Sequence, residues 1–430
     1  MKNVNEIKTG SDSERINQAI RESSDGFVFI PSRVSETEPE RDWWLLDEAI
    51  LLPSNTTVIL HNCRIKLSDK CRDNFFRSAN CGVGFEENET FRNIHIIGEG
   101  RAILEGADHP RSTGDGGKRI HRTSPHDPAL WLERAYWLSD EERATKKTVK
   151  DISFWDIHNN TYGTDADNPE ESQYGDWRNI GILFACVEDF SIENIRIKQA
   201  HGWNISLENC SYGEIRRIDF ENSMGRMIDG IVENIENQDG IDIRNGCHDI
   251  TISDITGFTG DDVIALTAIA TKCPYLPGGS VCTTHVMHND FTRRDPDIHD
   301  IIIRNVRAYS TLCCTIRLLP TESHIYNVVI DGVIDTIPDV GHEHWGCVLL
   351  LGDGDGIYGK ALPDGMRGIS ISNIIGGRRT RHVLNISGLL SDSVITNIIN
   401  RNPEHPSVWR ARDNGMRNVL ISNVIEPESR

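Results

Sequence analysis

Two acidic clusters mark the part of the sequence best suited to chemistry. Asp239 lies in Asn-Gln-Asp-Gly-Ile-Asp, and Asp261 and Asp262 follow a glycine in Gly-Asp-Asp-Val-Ile-Ala-Leu, so that Asp261 is 22 positions after Asp239. Stacked on successive turns of a repeating structure, these two side chains would lie about 5 Å apart. Two unit charges at that distance repel by about 3 kcal/mol at an effective dielectric constant near 20, or about two pKa units. We therefore expect one carboxyl group to stay protonated near neutral pH while another is ionised.

This combination of carboxyl groups is what glycoside hydrolysis requires. One acid protonates the leaving oxygen, and a second carboxylate acts beside the anomeric carbon. Each cluster taken alone is also an ordinary turn sequence, but their joint spacing favours chemistry. Adjacent strand residues point to opposite faces, so Asp261 and Asp262 can share a site only at a bend or bulge, which Gly260 permits.

A repeated motif predicts the elements that bring the carboxylates together. A polar residue, an alternating aliphatic run, and then Asn, Asp or Arg before another aliphatic residue recur along the chain, and several steps, such as 188 to 211 and 299 to 327, measure about one coil of 22 to 28 residues. The copies are residues 92–97, 151–157, 188–195, 211–218, 248–255, 299–306, 327–333, 367–374 and 417–424. Alternation with period two predicts strands. Strands repeated without crossover helices predict an all-β solenoid, a single-stranded parallel β-helix, rather than a sandwich built on hairpins.

The predicted organisation is one β-helix domain over residues 1–430. Residues 1–60 would form an N-terminal cap and the first coil, with a short capping helix over residues 11–21. Three stretches interrupt the repeat and are predicted loop insertions: residues 106–148, 158–177 and 267–296. Long loops on a rigid scaffold usually build binding sites.

Composition limits the partners. The net charge of −20 disfavours nucleic acid and anionic membranes. No apolar run reaches the length of a membrane span, and no hydrophobic signal-peptide core follows Met1. The 11 cysteines are an odd number and form no Cys-x-x-Cys pair, which favours reduced thiols and a cytoplasmic protein. The sequence does not indicate the oligomeric state.

The two acidic motifs and their surroundings resemble the polygalacturonase-like glycoside hydrolases of family 28. Asn-Gln-Asp-Gly at residues 237–240 is similar to the family's Asn-Thr-Asp-Gly, and residues 260–262 to its Gly-Asp-Asp. Residues 184–188 and 200–205, which include His201 and Trp203, look like the coil that precedes them. The resemblance covers residues 180–335 and implies a right-handed β-helix and inverting hydrolysis, with Asp261 as general acid and Asp239 and Asp262 activating a water.

Departures from the family pattern bear on the substrate. Gly-His-Gly is missing, and His285 is the nearest candidate for its histidine. The family's Arg-Ile-Lys is replaced by Arg317-Leu-Leu319, so the lysine that grips a uronic carboxylate is a leucine. We therefore expect a neutral sugar, or a uronate held by Arg293, Arg294 or Arg317. Asn237, His201 and Trp203 complete the predicted substrate-binding set.

The leading hypothesis is a glycosidase that acts from the chain end on short oligosaccharides, including pectin-derived or uronic-acid-containing ones, with no cofactor and no metal. A Ca²⁺-dependent polysaccharide lyase on the same scaffold is an alternative, since the acidic residues could bind the ion. A non-catalytic carbohydrate-binding β-helix is a third, because the missing motifs could mark a lost activity.

Overall fold

The computed structural model describes residues 1–71, 73–82, 88–109, 179–223, 225–235, 237–269, 294–321, 323–341, 343–352, 361–410 and 415–428. These ranges contain helix α1 (Asp12–Glu22), a 3₁₀ turn (Val4–Glu6) and 27 strands. The strands are β1 (Lys2–Asn3), β2 (Phe27–Pro31), β3 (Trp44–Leu46), β4 (Ile50–Leu52), β5 (Thr56–His61), β6 (Arg64–Leu67), β7 (Phe76–Ser78), β8 (Phe91–Glu99), β9 (Ile103–Glu105), β10 (Ile182–Ala185), β11 (Val187–Lys198), β12 (Ile205–Glu208), β13 (Ser211–Glu221), β14 (Gly225–Ile228), β15 (Ile231–Asn234), β16 (Ile241–Arg244), β17 (His248–Thr259), β18 (Ile264–Ala268), β19 (Ile298–Ser310), β20 (Ile316–Pro320), β21 (Ile325–Asp335), β22 (His344–Leu351), β23 (Met366–Ile375), β24 (Thr380–Ile386), β25 (Leu390–Ile399), β26 (Val408–Arg410) and β27 (Met416–Ile425).

Of these strands, 25 stack into two long parallel sheets, and β14 and β15 form a separate antiparallel pair. Sheet A has 15 strands, with the main order β1-β2-β5-β8-β11-β13-β17-β19-β21-β23-β25-β27 and β3, β6 and β9 beside it. Sheet B has ten, in the order β26-β24-β22-β20-β18-β16-β12-β10-β7-β4. Over the middle of the chain each coil contributes a short strand to sheet B and then a long one to sheet A. This is a parallel β-helix, as the repeat predicts, and the described motif copies lie in sheet A.

Aliphatic ladders form the core between the sheets. Ile252 pairs with Ile303, Ile303 with Ile330, and Ile330 with Ile371, one on each successive coil of sheet A. All four side chains are fully buried. Burying one such side chain contributes about 1.5–3 kcal/mol. The period-two alternation of the sequence therefore becomes a continuous core, because inward residues on every coil meet the same residue types above and below.

The Asn and Asp residues that recur in the motif bend the long strands. Asn194, Asp254, Asn305, Asn397 and Asn423 all have φ values of 53–58°. Asn and Asp tolerate this left-handed backbone better than other residues with a Cβ, because their short side chains form local hydrogen bonds. The Asn423 amide donates to Asn397 Oδ1 at 3.2 Å, so the bend also carries a polar ladder from coil to coil.

Helix α1 covers the first coil, as predicted. Ser11 is its N-cap, and the Ser11 and Glu14 side chains each accept the backbone N–H of the other in a capping box. Ile16, Ala19 and Ile20 are buried and form the apolar face. Over the described residues no helix is long and apolar enough to cross a membrane.

The predicted insertions lie almost wholly outside the described residues. Residues 106–109, 267–269 and 294–296 are their only described parts. The assignment of one domain to residues 1–430 stays a prediction.

Candidate active site

The turn before each sheet B strand positions the acidic residues. The Asn204 N–H donates to the Asp239 carbonyl oxygen at 2.9 Å, and the Gly240 N–H donates to that of Asp262 at 2.8 Å. Ile241 then pairs with Ile264 in the sheet. Asp239 and Asp262 therefore occupy the same position on successive coils. The predicted match of Asp239 with Asp261 is wrong by one residue, because this coil is 23 residues long.

The positions aligned with Asp239 form a column of side chains, which lie two residues before their sheet B strands except for Cys347, which lies within β22. The same type of hydrogen bond joins Val263 N–H to the Cys314 carbonyl oxygen (3.1 Å) and Thr315 N–H to that of Cys347 (3.4 Å). The column therefore runs across five coils. We call this set the pre-strand column: Trp203, Asp239, Asp262, Cys314 and Cys347. It places an aromatic ring, two carboxylates and two thiols in one line along the outside of sheet B.

Asp261 joins the column from the side because the chain bends at this point. Its N–H donates to the Gln238 carbonyl oxygen at 3.3 Å, and its Oδ1 accepts the Asp262 N–H at 3.0 Å. One carboxyl oxygen from each of Asp239, Asp261 and Asp262 lies within 4.8 Å of the others. The bend resolves the difficulty that neighbouring residues of a regular strand would face opposite ways. We call these three residues the carboxylate cluster.

Asp262 is the member of the carboxylate cluster whose negative charge is best supported. Its Oδ1 accepts the Cys314 N–H at 3.0 Å, and its Oδ2 lies 3.5 Å from Nη1 of Arg317. The Asp262 side chain is only 3% exposed and that of Arg317 16%. A backbone donor and a guanidinium at this depth favour a carboxylate over a neutral acid.

The other two members of the carboxylate cluster, Asp261 and Asp239, have raised pKa values, which favour their protonated forms. Burial, followed by the negative charge of Asp262, raises the pKa of Asp261 to about 7. Burial also raises the pKa of Asp239 well above its usual range, with further contributions from Asp242 and from both other members of the carboxylate cluster. Like charges crowded in a desolvated site cannot all ionise together. The site thus places Asp261, an acid that titrates near neutral pH, beside the Asp262 carboxylate, which contacts a backbone N–H and a guanidinium.

Two ionisable residues beside the carboxylate cluster, Asp242 and Arg244, were not predicted from the sequence. Asp242 is fully buried between Ser206 and Ala265 of the neighbouring coils, and neither of its carboxyl oxygens has a hydrogen-bond partner among the described residues. Burial is the largest cause of its raised pKa. Arg244 is 1% exposed, and its guanidinium carbon lies 4.6 Å from the centre of the Trp203 ring. The alternation Ile-Asp-Ile-Arg over residues 241–244 could have shown that both face outward.

Two of the predicted substrate-binding residues lie at the carboxylate cluster. Trp203 is the coil neighbour of Asp239, is partly exposed and packs on the buried apolar residues around Leu183. Arg317 contacts Asp262 as described. Asn237 precedes Gln238 in a left-handed conformation with φ 53°, on the turn that leads into Asp239.

Two others are placed differently from the prediction. His201 is 3% exposed, and its Nε2 accepts the Ala107 N–H at 2.9 Å. Burial lowers the pKa of His201 to about 3, so the ring is neutral and holds residue 107 in place rather than meeting a substrate. Arg294 donates to Cys186 Sγ at 2.7 Å and to the Asn88 carbonyl oxygen at 3.0 Å. Because Cys186 follows its sheet B strand whereas Asp239 precedes one, Arg294 lies at the opposite end of the strands. His285 and Arg293 lie outside the described residues.

The fold defines a class, the right-handed parallel β-helix proteins. Polygalacturonase from Erwinia carotovora ssp. carotovora aligns with 96% of this chain and 94% of its own, at 14% identity and a TM-score of 0.50. PfbA, a surface adhesin of Streptococcus pneumoniae, aligns over 98% and 90%, at 13% identity and 0.51. A tailspike of E. coli bacteriophage HK620, in complex with a pentasaccharide, aligns over 100% and 66%, at 12% identity and 0.52. These likenesses confirm the predicted fold.

Within this class the chain is similar to one family of enzymes. The family model for glycosyl hydrolases family 28 matches residues 166–284, which include the whole carboxylate cluster. The resemblance found in the sequence is thereby confirmed, and the match supports glycosidase activity. A search of curated proteins found no match.

Proposed function

We propose that this protein is a glycoside hydrolase whose acid–base chemistry is carried out by Asp261, Asp262 and Asp239. The observation that carries the proposal is the geometry of the carboxylate cluster: three carboxyl groups with oxygens within 4.8 Å, of which one has a pKa of about 7 and another faces a guanidinium. Glycoside hydrolysis needs a proton donor and a carboxylate together.

Each carboxyl group takes a separate role. Asp261, protonated below about pH 7, donates its proton to the leaving glycosidic oxygen. Asp262, held by Arg317 and the Cys314 N–H, is the base that removes a proton from water. Asp239, whose raised pKa favours its neutral form, orients that water by hydrogen bonding. This division is narrower than the sequence-based expectation that Asp239 and Asp262 both deprotonate the water.

The room for the water comes from the bend. Inverting glycosidases separate acid and base by about 6.5–9.5 Å, whereas retaining ones use about 5–5.5 Å. Asp261 stands beside the pre-strand column rather than in it, so the water can enter along the column between Asp239 and Asp262 while the sugar lies across Asp261. Inversion in our proposal rests on the family resemblance, and the short spacing makes the product anomer a decisive observation.

The proposed substrate is a short oligosaccharide cleaved from its end, including pectin-derived or uronic-acid-containing ones. Leu319 is buried in the row that contains Thr267 and Arg244, so the position of the family lysine carries no charge. Arg317 is the cation that contacts Asp262. Trp203, with one face under Arg244, presents an aromatic ring next to Asp239 on which a sugar can stack.

Calcium-dependent elimination is less well supported by the same residues. A Ca²⁺ site needs ionised carboxylates, so the ion would have to displace the protons that burial and mutual repulsion favour on Asp239 and Asp261. A lyase would yield an unsaturated product that absorbs ultraviolet light and would stop when the ion is chelated.

A panel of uronic, rhamnosyl and neutral oligosaccharides, assayed with and without a chelator, tests the proposal. We expect new reducing ends, release of the terminal unit first, no gain in ultraviolet absorbance and no effect of the chelator. Cleavage in the middle of long polymers would contradict action from the chain end. An absorbing product lost on chelation would replace hydrolysis with elimination, and binding without turnover would indicate a carbohydrate-binding β-helix.

The cytoplasmic location is also a proposal. The nine cysteines in the described ranges are free and buried, three of them beside the carboxylate cluster, which suits a reducing compartment. Cell fractionation with detection of the native chain would test it, and recovery outside the cell would contradict it.

A further inference from the structure

Three thiols extend the site beyond the residues that hydrolysis uses. The pre-strand column passes from Asp262 to Cys314 and then Cys347, and Cys313 precedes Cys314 as Asp261 precedes Asp262. All three cysteines are buried, with 8%, 2% and 5% of Cys313, Cys314 and Cys347 exposed. The β-helix therefore sets a pair of thiols one rung above a pair of carboxylates.

Two sulfur atoms and one carboxyl oxygen, from Cys313, Cys314 and Asp262, are spaced as ligands of one small ion would be. Cys313 Sγ lies 3.6 Å from Cys314 Sγ, which lies 3.6 Å from Cys347 Sγ. In a tetrahedral zinc site with Zn–S bonds of about 2.3 Å, neighbouring sulfurs are about 3.8 Å apart. A carboxyl oxygen of Asp262 lies within 4.8 Å of both Cys313 and Cys314 sulfurs. Three donor atoms thus outline one face of a tetrahedron with little rearrangement.

We propose that Cys313, Cys314 and Asp262 form a binding site for a thiophilic divalent ion, such as Zn²⁺ or Cd²⁺. Cys347 lies one coil further along, with its Sγ 3.6 Å from that of Cys314. Thiolates select these ions over Mg²⁺ and Ca²⁺, which prefer oxygen ligands. On binding, each ligating thiol releases its proton to solvent, and no electron transfer is involved.

The site has a consequence for hydrolysis that rests on the proposed function. A metal-bound Asp262 oxygen can no longer accept a proton from water, and the ion's charge competes with Arg317 for the same carboxylate. Ion binding and turnover are therefore mutually exclusive, and Zn²⁺ or Cd²⁺ is an inhibitor rather than a cofactor.

Titration of the reduced full chain with Cd²⁺, followed by the thiolate-to-cadmium ultraviolet absorption band, tests the binding site. The Cys313→Ser/Cys314→Ser double variant should lose one equivalent of Cd²⁺ relative to wild type. Cys71→Ser, which removes a buried thiol in another part of the fold, should keep wild-type stoichiometry and affinity. Asp262→Asn should keep the absorption band and weaken Cd²⁺ by about tenfold or more. If the double variant fails to fold, Cys313→Ala replaces it and must weaken Cd²⁺ by a similar factor.

Equal Cd²⁺ stoichiometry and affinity in wild type and in the variants of Cys313 and Cys314 would overturn the proposal. Cd²⁺ that binds at these thiols without slowing turnover would overturn the sharing of Asp262. A chain that cleaves none of the oligosaccharides but shows the thiol-dependent Cd²⁺ site would reject the proposed function and keep the metal site.

Discussion

Removing the positive charge of Arg317 should move the alkaline limit of activity upward. Arg317 lowers the pKa of both Asp261 and Asp242. Its guanidinium lies 3.5 Å from Asp262, and the carboxyl oxygens of Asp262 and Asp261 lie within 4.8 Å, so the separation from Asp261 is at most about 8 Å when one Asp262 oxygen makes both contacts. Unit charges at that distance interact by about 2 kcal/mol at an effective dielectric constant near 20, or about 1.5 pKa units before screening.

The sign follows from the role of Asp261. As general acid it must be protonated, so activity falls as the pH rises through its pKa of about 7. In Arg317→Gln this pKa rises further, and the alkaline limb of kcat/KM should move up by about one pH unit. Turnover at the optimum should fall, because Asp262 loses the guanidinium that supports its charge.

The matched control is Arg317→Lys, which keeps the charge and should leave the limb within a few tenths of a pH unit of wild type. The assay is kcat/KM against pH on the best substrate of the oligosaccharide panel. An alkaline limb in Arg317→Gln that stays in place or moves down would refute the electrostatic reasoning, and so would equal shifts in the two variants.

Three further predictions concern stability and stereochemistry. Because the pKa of Asp242 is raised in the folded protein, its contribution to stability is present below the pKa of the unfolded state and is lost as the pH rises through the pKa of the folded state. Asp242→Asn should therefore have a higher Tm than wild type at pH 8 but not at pH 4. A lower Tm at pH 8 would contradict this prediction. A Cβ on Gly240 would lie 2.4 Å from the Val263 carbonyl oxygen, so Gly240→Ala should destabilise the fold by about 2–3 kcal/mol in denaturant unfolding; Gly225→Ala, where the nearest atom is 3.4 Å away, is the control. Proton NMR of the first product should show the inverted anomer, and retention would instead assign a covalent role to one member of the carboxylate cluster.

Much of the fold could be predicted because its signals are local. The alternation and the recurring Asn or Asp identify sheet A strands, since inward aliphatic residues must repeat on every coil and left-handed bends favour those two residue types. The capping helix is displaced by one residue only, because Ser11 and Glu14 define its start. The short strands of sheet B, of three to eight residues, carry too few alternations to be recognised individually.

The site was less predictable because register is not local. The bend between β17 and β18 absorbs one residue, so counting 22 residues between aspartates paired Asp239 with the wrong neighbour. The thiol pair meets Asp262 only after a separation of about 50 residues, which no motif reveals. The burial of Asp242 and His201 depends on side chains from several coils, and this reversed the expectation that His201 faces a substrate.

The central claim is that Asp261 is the proton donor of a hydrolytic site. The most direct test is the hydrolysis rate of Asp261→Asn beside Asp254→Asn, which alters an exposed aspartate of sheet A. We expect a loss of about 10³-fold or more in the first variant, with a Tm no lower than that of wild type, and wild-type turnover in the second. Near-wild-type turnover in a folded Asp261→Asn protein would contradict the account.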